Sequence, residues 1–246
     1  MMGEKILLAL DFDHTLIDEN SDLFVIRLAP NGELPQEIKG FYSDNGWIEY
    51  MGEIFKFLHV HGVKPDNFKE CLSSIPLTLG MEELFAFIKE SDKFETVIIS
   101  DSNSIFIDTI LEKFGLKDTV TQVFTNPAMF DQNGLLTIQY YHTQDWCSLS
   151  TVNLCKGHIL QEFIKERKQK GVTFSTVIYI GDGSNDLCPG LSLSQQDYLC
   201  PRVGFSLWRK VNKLMKEDQT TKSLKARIYP WESGSDIVGL IKNISP

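Results

Sequence analysis

Short apolar runs alternate with amphipathic helical patterns along most of this sequence, and that alternation limits the possible folds more than any other feature. The runs with strand character are residues 6–10, 96–100, 120–124 and 176–180, with a weaker one near Tyr198. The helical patterns between them cover residues 81–89, 105–114 and 158–168. Such alternation favours a parallel sheet covered by helices on both faces. We therefore predict an α/β fold with its ligand site at the carboxyl ends of the strands.

Two segments interrupt this alternation. Residues 16–79 contain no strong strand run, but they contain a helical pattern formed by Trp47, Tyr50, Met51, Ile54, Phe55 and Leu58. We predict an inserted helical domain at 16–79, with a core domain formed by residues 1–15 and 80–246. Residues 130–138 place Asn133 and Gly134 between β-prone residues and predict a small hairpin. The tail, 233–244, has helical periodicity.

Composition and charge exclude several classes of protein. The 246 residues are 42% hydrophobic and 23% charged, which is typical of a globular protein with a buried core. The net charge of −9 argues against non-specific binding to nucleic acid or to an anionic membrane, because both need clustered basic residues. The apolar run at 6–10 is too short for a signal peptide or a membrane span, so we expect a cytoplasmic protein. Five irregularly spaced cysteines make a disulfide framework unexpected.

Chemically active side chains follow the predicted strands directly. The first strand is followed by Asp11 and Asp13, the second ends at Ser100 and Asp101, and the fourth is followed by Asp182 and Asp186, while Lys156 is predicted to begin a helix. The carboxyl ends of parallel strands lie at one edge of a sheet. We therefore expect these carboxylates, the hydroxyl and the ammonium to meet in one place.

Together these groups can perform phosphoryl chemistry. Carboxylates brought close together repel one another, and a hard cation such as Mg²⁺ relieves the repulsion while it accepts phosphate oxygens. A carboxylate can also attack phosphorus and form an aspartyl-phosphate. We predict Asp11 as the nucleophile and Asp13 as the acid and base. Ser100 and backbone N–H groups would bind phosphoryl oxygens, and Lys156 would balance the charge of the transition state.

The ordered set of motifs resembles the haloacid dehalogenase superfamily in its phosphatase branch. The motifs are Asp-x-Asp-x-Thr from Asp11, the serine at Ser100, the lysine at Lys156 and Gly-Asp-Gly-x-Asn-Asp ending at Asp186. The resemblance implies that Asp11, the carbonyl of Asp13 and Asp182 bind Mg²⁺ and that Asp186 supports the metal. It also implies a Rossmannoid sheet, with the insert after the first strand acting as a cap over the site.

Further segments narrow the resemblance to the phosphoethanolamine/phosphocholine and pyridoxal-phosphate phosphatase family. These segments are 18–22, 99–103, 125–127, 141–143, 153–156 and 179–183, and the likeness extends over nearly the whole chain. Within the family, residues 99–108 and 124–128 look closer to the pyridoxal-phosphate branch. One departure concerns the Cys-x-x-Cys that usually precedes the motif lysine, because here Cys147 is followed by Ser150.

Other metal and nucleotide sites fit the sequence less well. A calcium loop that began at Asp11 would need Gly and Glu where Leu16 and Asp22 stand. Gly181 and Gly183 are not followed by the third glycine of a dinucleotide loop. Cys147 and Cys155, with His142 nearby, offer three ligands where a closed structural zinc site has four, so the sequence does not favour zinc there.

The charge of the insert bears on the substrate. Between His14 and Leu79 there are ten acidic and five basic residues, and Arg27 is the only arginine. Phosphoserine would call for a basic group to hold its carboxylate, so a phosphate monoester with a cationic or heteroaromatic leaving group fits better. Asp22 and Asp101 are our candidates for contacting that group, as the family resemblance also implies. The alternative for Asp22 is that it only caps a helix.

The sequence thus predicts a Mg²⁺-dependent phosphatase for a small-molecule phosphate monoester, with no nucleic-acid or membrane partner. Pyridoxal 5′-phosphate is the first candidate substrate, followed by phosphoethanolamine or phosphocholine. Two other functions stay open: a protein that binds a phosphate ligand without turnover, and phosphoryl transfer to an acceptor other than water. An acid and base at Asp13 favours hydrolysis over simple binding.

Overall fold

The structure, a computed structural model, describes residues 5–42, 46–217 and 224–244. In these ranges the strands are β1 (Lys5–Leu10), β2 (Phe94–Asn103), β3 (Gln122–Asn126), β4 (Ala128–Phe130), β5 (Leu136–Ile138), β6 (Phe174–Gly181), β7 (Tyr198–Pro201) and β8 (Arg227–Ile228). The α-helices are α1 (Ser21–Phe24), α2 (Gln36–Lys39), α3 (Trp47–Val60), α4 (Pro65–Ser73), α5 (Met81–Lys89), α6 (Ser104–Lys113), α7 (Lys156–Gln169), α8 (Leu187–Ser192), α9 (Ser206–Glu217) and α10 (Gly234–Ile244).

Six of the strands form one parallel sheet in the order β3-β2-β1-β6-β7-β8. Because β1 lies between β2 and β6, the carboxyl ends of these three strands are neighbours at one edge. The α/β fold expected from the sequence is therefore present, and the ligand site at this edge stays a prediction. Among the described residues, no helix combines the length and the apolar character that a bilayer-spanning segment needs.

Helices cover both faces of the sheet, which explains why its strands are apolar throughout. Along β1, Leu8 and Leu10 point into a cluster that includes residues of α5, α6 and α10. Leu7 and Ala9 alternate with them and point into the opposite cluster, which includes residues of α7 and α9. Buried on both faces, such strands lack the alternation of polar and apolar residues found in a half-exposed sheet.

The predicted elements are confirmed, with differences at their ends. β3 begins two residues later than expected because a 3₁₀ turn occupies Lys117–Thr119. β2 continues past Ser100 to Asn103, with an irregular register after Ile99. The hairpin is present as the antiparallel pair β4 and β5, and the tail forms α10. The sequence did not lead us to α9 or β8.

The segment between β1 and α5 is the insert expected from the sequence, and its described residues contain α1 to α4 and no strand of the main sheet. Its two connections to the sheet run side by side. The Thr78 N–H donates to the Leu16 carbonyl at 3.0 Å, and the Asp18 N–H donates to the Pro76 carbonyl at 3.1 Å. Adjacent connections of this kind suit an insertion, because they leave β1 and α5 in place. We call residues 16–79 the cap region, and their independence as a domain stays a prediction.

Aromatic side chains join the cap region to the rest of the molecule. Phe55 of α3 and Phe68 of α4 pack against Phe106 of α6 with ring centroids 5.8 and 6.1 Å apart. Phe68 also packs against Phe130 of β4 at 5.8 Å. The hairpin therefore forms part of the surface on which the cap region rests.

Candidate active site

Three carboxylates predicted from the sequence lie together at the carboxyl edge of the sheet. Asp11 follows β1, while Asp182 and Asp186 follow β6, and one oxygen from each lies within 4.8 Å of the others. The Asp11 N–H donates to the Ile180 carbonyl at 2.9 Å, which ties the two strand ends together. A cavity of about 280 Å³ opens here, lined by Asp11, Asp13, His14, Asn20, Asp22, Tyr42, Trp47, Ser100, Asp101, Thr151, Asn153, Lys156, Asp182, Gly183 and Asn185.

Lys156, the first residue of α7, is buried between two of these carboxylates. Its Nζ lies 2.6 Å from Asp11 Oδ2 and 2.8 Å from Asp186 Oδ1. Burial lowers the pKa of Lys156, but Asp11 and Asp186 more than offset that effect and raise it. The ammonium therefore stays charged. Removing either carboxylate would leave a buried charge without its partner.

Asp186 is saturated with hydrogen bonds. Its Oδ1 accepts from Lys156 Nζ and from the hydroxyl of Tyr179, each at 2.8 Å. Its Oδ2 accepts from the N–H groups of Asp182 and Gly183 at 3.1 and 2.8 Å. A carboxylate has about four acceptor positions, so Asp186 has little capacity left for a metal ion. It instead fixes the loop that carries Asp182.

Asp13 and Ser100 flank the nucleophile position. The Ser21 N–H donates to Asp13 Oδ1 at 2.8 Å, which fixes the Asp13 carboxyl group at the cavity wall. Burial raises the pKa of Asp13 to about 6, against the lowering effect of the hydrogen bond from Ser21. Ser100 is buried, and its Oγ accepts from the Ser102 N–H at 3.2 Å. Ser100 also lines the cavity.

The electrostatics of the site favour a cation. Burial raises the pKa of Asp11, and the charge of Asp186 raises it further. Burial, followed by the charge of Asp186, raises the pKa of Asp182 to about 7. A set of oxygen ligands in which the ionised forms are destabilised by their neighbours suits a hard divalent cation. Asp11 and Asp182 fit Mg²⁺ on this ground.

The structure corrects one alternative for Asp22. The helix α1 is capped by Asn20, whose Oδ1 accepts from the Leu23 N–H at 2.9 Å. Asp22 is buried, and its Oδ2 accepts from the indole Nε1 of Trp47 at 2.8 Å. Helix capping by Asp22 is therefore wrong. The carboxyl group instead faces the cavity and holds Trp47 at its wall.

One carboxyl oxygen on the cavity wall is buried without a hydrogen-bond partner among the described residues. Asp101 Oδ2 accepts from Asn185 Nδ2 at 2.6 Å, but Asp101 Oδ1 has no hydrogen bond within the described ranges. Asp22 differs, because the side chain of Asn103 is close enough to its carboxyl group to lower the pKa in part. Burial raises the pKa of Asp101, and burial followed by the charge of Asp13 raises that of Asp22 to about 8. Buried acceptors of this kind normally find a donor, so a bound ligand is a natural partner.

Aromatic rings of the cap region lie beside the Asp22 carboxyl group. Tyr42, Trp47 and Tyr50 contact one another with ring centroids 5.5 to 5.7 Å apart. Tyr42 and Trp47 line the cavity. Arg27, the single arginine of the cap region, lies outside this lining, mostly exposed, with its guanidinium on the ring of Phe24.

Several supporting residues were missed by the sequence reasoning. Tyr179 lies inside β6 and looks like an ordinary core residue until its hydroxyl reaches Asp186. Arg202 follows β7, and its guanidinium donates to the His14 carbonyl and to Asp18 Oδ1, each at 2.6 Å. These contacts hold His14 in a left-handed conformation with φ of 54°. No local signal announces such contacts, because the partners lie far apart in sequence.

The thiols are arranged differently from the sequence expectation. Cys188 lies beside Cys147 and Cys155, and the Sγ atoms of all three lie within 4.8 Å of one another. His142 takes another part, because its Nε2 accepts from the Cys155 N–H at 2.9 Å. His142 is thus engaged with the backbone, and Cys188 is the third residue beside the two cysteines.

Comparison with known sequences gives consistent matches over almost the whole length. A family model described as Putative Phosphatase matches residues 6–244. The pyridoxal phosphate phosphatase PHOSPHO2 of Mus musculus is 44% identical over 235 residues, which cover 95% of this chain and 96% of that protein. The phosphoethanolamine/phosphocholine phosphatase of Homo sapiens is 35% identical over 234 residues, which cover 95% of this chain and 86% of that protein.

Solved structures agree on the fold. A phospho-aspartyl intermediate analogue of phosphoserine phosphatase aligns with a TM-score of 0.61 at 18% identity, covering 97% of this chain and 99% of the other. A substrate-bound phosphoserine phosphatase aligns with a TM-score of 0.58 at 20% identity, covering 99% of each chain. At these identities the likeness concerns the fold, which confirms the predicted α/β architecture.

Proposed function

This chain belongs to the family described as Putative Phosphatase and is a phosphoric monoester hydrolase with a haloacid dehalogenase fold; from that premise we propose a Mg²⁺-dependent hydrolysis of pyridoxal 5′-phosphate through an aspartyl-phosphate. One observation carries the proposal. Asp11 is buried at the base of the cavity with Lys156 at 2.6 Å, beside the carboxylate of Asp182. This arrangement suits an attack by a carboxylate on phosphorus.

Asp11 attacks with its carboxylate oxygen. The Phe12 N–H donates to Asp11 Oδ1 at 2.7 Å, while Lys156 holds Oδ2, so the side chain is fixed in one orientation. The new bond joins the Asp11 oxygen to phosphorus, and the bond from phosphorus to the leaving oxygen breaks. Ser100 and the N–H groups of the loops at the sheet edge bind the phosphoryl oxygens. Lys156 offsets the charge that builds up on them.

Asp13 moves the protons. Its carboxyl group, held by the Ser21 N–H, gives a proton to the leaving oxygen. It then takes a proton from the water that attacks phosphorus, which releases inorganic phosphate and restores the Asp11 carboxylate. A protein that only bound phosphate would gain nothing from a group in this position.

Asp11, the backbone carbonyl of Asp13 and Asp182 are the residues that would hold Mg²⁺. The ion would supply charge neutralisation for the carboxylates and the phosphoryl group. Because Asp186 already accepts four hydrogen bonds, we assign it to positioning Lys156 and the loop of Asp182.

The cap region supplies contacts for the leaving group. The perpendicular rings of Tyr42 and Trp47 offer apolar contact to a pyridine ring, and the carboxyl groups of Asp22 and Asp101 suit donors or a positive charge on that ring. The mouse relative named as a pyridoxal phosphate phosphatase supports this choice. The absence of Arg27 from the cavity lining is consistent with a leaving group that has no carboxylate.

Phosphoethanolamine and phosphocholine are the second candidates. The same pair of carboxyl groups suits an ammonium, and an aromatic ring in the cavity lining, that of Trp47, suits contact with a cation. The human relative named for these substrates is more distant at 35% identity, so we rank them second.

A rate panel tests the proposal. Initial rates with Mg²⁺ would be measured on pyridoxal 5′-phosphate, phosphoethanolamine, phosphocholine and phosphoserine, by release of inorganic phosphate. We expect the highest kcat/KM for pyridoxal 5′-phosphate and the lowest for phosphoserine. A preference for phosphoserine would contradict the charge argument, and phosphorylated acceptor in place of free phosphate would indicate transfer.

The intermediate is tested by rapid acid quench and mass spectrometry of the peptide that contains Asp11. We expect a phosphorylated Asp11 during turnover, and loss of both phosphorylation and turnover in Asp11→Asn. Asp118→Asn makes the same chemical change at an exposed position and should keep the wild-type rate. Turnover by Asp11→Asn at the wild-type rate would overturn the mechanism.

A further inference from the structure

Three cysteine thiols from separate segments converge on one point behind the active site. Cys147 lies in the loop before α7, Cys155 immediately precedes that helix, and Cys188 lies in the first turn of α8. The Sγ atom of Cys188 is 3.4 Å from that of Cys147 and 3.7 Å from that of Cys155. All three thiols are free. They are separate from the carboxylates assigned to Mg²⁺.

We propose that Cys147, Cys155 and Cys188 bind a thiophilic metal ion of the Zn²⁺ type, with the hydroxyl of Ser150 at the fourth position. Zinc takes thiolate ligands in tetrahedral sites, whereas Mg²⁺ prefers oxygen, so the chain would separate the two ions by ligand chemistry. This role goes beyond phosphatase activity and does not depend on the substrate.

The spacing of the thiols matches a tetrahedral site. With Zn–S bonds of about 2.3 Å and Zn–O bonds of about 2.0 Å, two sulfurs lie about 3.8 Å apart and a sulfur and an oxygen about 3.5 Å apart. The observed Sγ distances of 3.4 and 3.7 Å lie close to the first value. Ser150 Oγ lies 3.5 Å from Cys147 Sγ, which equals the second. Ser150 is therefore close enough to this thiol to supply the fourth ligand.

The loop that carries Cys147 and Ser150 is ordered by a buried amide. Gln144 Oε1 accepts from the Cys147 N–H at 2.8 Å. Its Nε2 donates to the carbonyls of Cys147, Ser150 and Thr151 at 2.8 to 3.2 Å. A site whose ligand loop is fixed beforehand loses little conformational freedom when it binds an ion.

A glycine allows the third ligand to approach. A Cβ atom at Gly157, in the first turn of α7, would lie 2.7 Å from Cys188 Sγ and 3.1 Å from the Cys188 carbonyl oxygen. Only glycine therefore lets α7 pack this close to α8. The partial positive charge at the start of α7 also suits the net negative charge of three thiolates with one divalent ion.

Metal binding explains the cluster better than a disulfide does. A disulfide needs two sulfurs at about 2.0 Å and would leave the third thiol unused. Cys147 and Cys188 are half-buried, so an ion can reach the cluster from solvent.

The ligands are also next to catalytic residues, because Cys155 precedes Lys156 and Cys188 follows Asp186 by two positions. A bound ion would therefore hold the start of α7 against α8 and keep Lys156 and Asp186 together.

The experiment measures metal content in the whole protein. Protein isolated without chelators and dialysed against excess Mg²⁺ would be examined by inductively coupled plasma mass spectrometry. We expect about one Zn²⁺ per chain. Cys147→Ser should lose it, whereas Cys71→Ser, which changes a half-buried cysteine outside the cluster, should retain it. Far-ultraviolet circular dichroism would confirm that both variants fold.

Two further measurements do not depend on that variant. Reconstitution of the wild type with Co²⁺ should give the thiolate charge-transfer and d–d bands of a tetrahedral site, and Zn²⁺ should protect the three thiols from a thiol reagent. Ser150→Cys should bind Zn²⁺ more tightly, and Ser150→Ala should weaken binding by about ten- to a hundredfold. Wild-type protein that takes up neither ion, Cys147→Ser that keeps the metal, or a Cys147–Cys188 disulfide in the isolated protein would each overturn the proposal.

Discussion

Asp22 shows how one buried carboxyl group can link stability to pH. Burial and the charge of Asp13 raise its pKa from 3.8 to about 8, so the folded state favours the protonated form. The stability that this group contributes is complete below about pH 4 and is lost as the pH rises through about 8.

The variant Asp22→Asn tests this linkage. The amide oxygen can still accept from the indole of Trp47, but the side chain no longer ionises. We expect the difference in Tm between the variant and the wild type to move in favour of the variant between pH 5 and pH 9, measured by differential scanning fluorimetry without Mg²⁺. Asp66→Asn, on the exposed side of α4, serves as the control. A constant difference over this pH range would contradict the raised pKa.

A substitution of Tyr179 tests whether its hydrogen bond positions the carboxylate of Asp186. Tyr179→Phe removes one of the four hydrogen bonds to a buried carboxylate, which should lower the free energy of unfolding by about 1–3 kcal/mol. We also expect a lower kcat, because Asp186 positions Lys156. Tyr198→Phe on the neighbouring strand removes a hydroxyl bonded to Arg227 and should leave kcat unchanged. Equal kcat values for the two variants would refute a positioning role for Tyr179.

At the scale of elements, α10 depends on a close approach between backbones. The Gly234 N–H donates to the Leu79 carbonyl at 2.8 Å. A Cβ atom at Gly234 would lie 2.3 Å from the Gly80 carbonyl oxygen, which is backbone and cannot move aside cheaply. The tail helix therefore packs on the start of α5 only because both sides are glycine.

Gly234→Ala should accordingly destabilise the protein by about 1–3 kcal/mol, measured by urea denaturation. Gly239→Ala lies in the interior of the same helix, and its Cβ would meet no atom within 4 Å. That control should gain up to about 1 kcal/mol from helix propensity. If both substitutions changed the unfolding free energy alike, helix propensity rather than the close approach would govern this contact.

Local patterns predicted the elements well where the chain's own periodicity decides them. The helix over Met81–Lys89 and the strand that precedes Asp11 follow from apolar spacing and its abrupt end. The start of α7 at Lys156 was predicted for the same reason. The length of β2 was not, because its extension past Ser100 depends on Asn126, whose side chain donates to the carbonyls of Asp101 and Ser102.

The candidate site also has residues that could be predicted from the sequence and residues that could not. Asp11, Asp13 and Asp182 could be predicted because each directly follows a strand, and a parallel sheet brings such positions together. The bond between Trp47 and Asp22, and the place of Cys188 beside Cys147, could not be predicted. They depend on how separate elements pack, which no local spacing encodes.

For the molecule as a whole, we expect the carboxylate cluster to make stability depend on Mg²⁺. Mg²⁺ that binds only the folded state should raise the Tm, with a gain in the free energy of unfolding of about 2.7 kcal/mol at a hundredfold excess over its Kd.

Asp182→Asn should unfold at a higher temperature than the wild type without Mg²⁺ at pH 8, because burial and Asp186 raise the pKa of Asp182 to about 7. The same variant should gain less from Mg²⁺. A wild-type Tm that did not respond to Mg²⁺ would contradict the assigned site, and Asp118→Asn provides the matched control.

The paired connections at Leu16 and Thr78 have a consequence for how such proteins diversify. A segment whose ends meet can be exchanged between genes as a cassette, since a change in its length leaves the ends of β1 and α5 in place. The contacts of Phe55 and Phe68 with Phe106 and Phe130 set the condition for that exchange. A transplanted cassette would function only if the hairpin of β4 and β5 travelled with it, so recombination that alters the leaving-group pocket should involve two separate stretches of the gene.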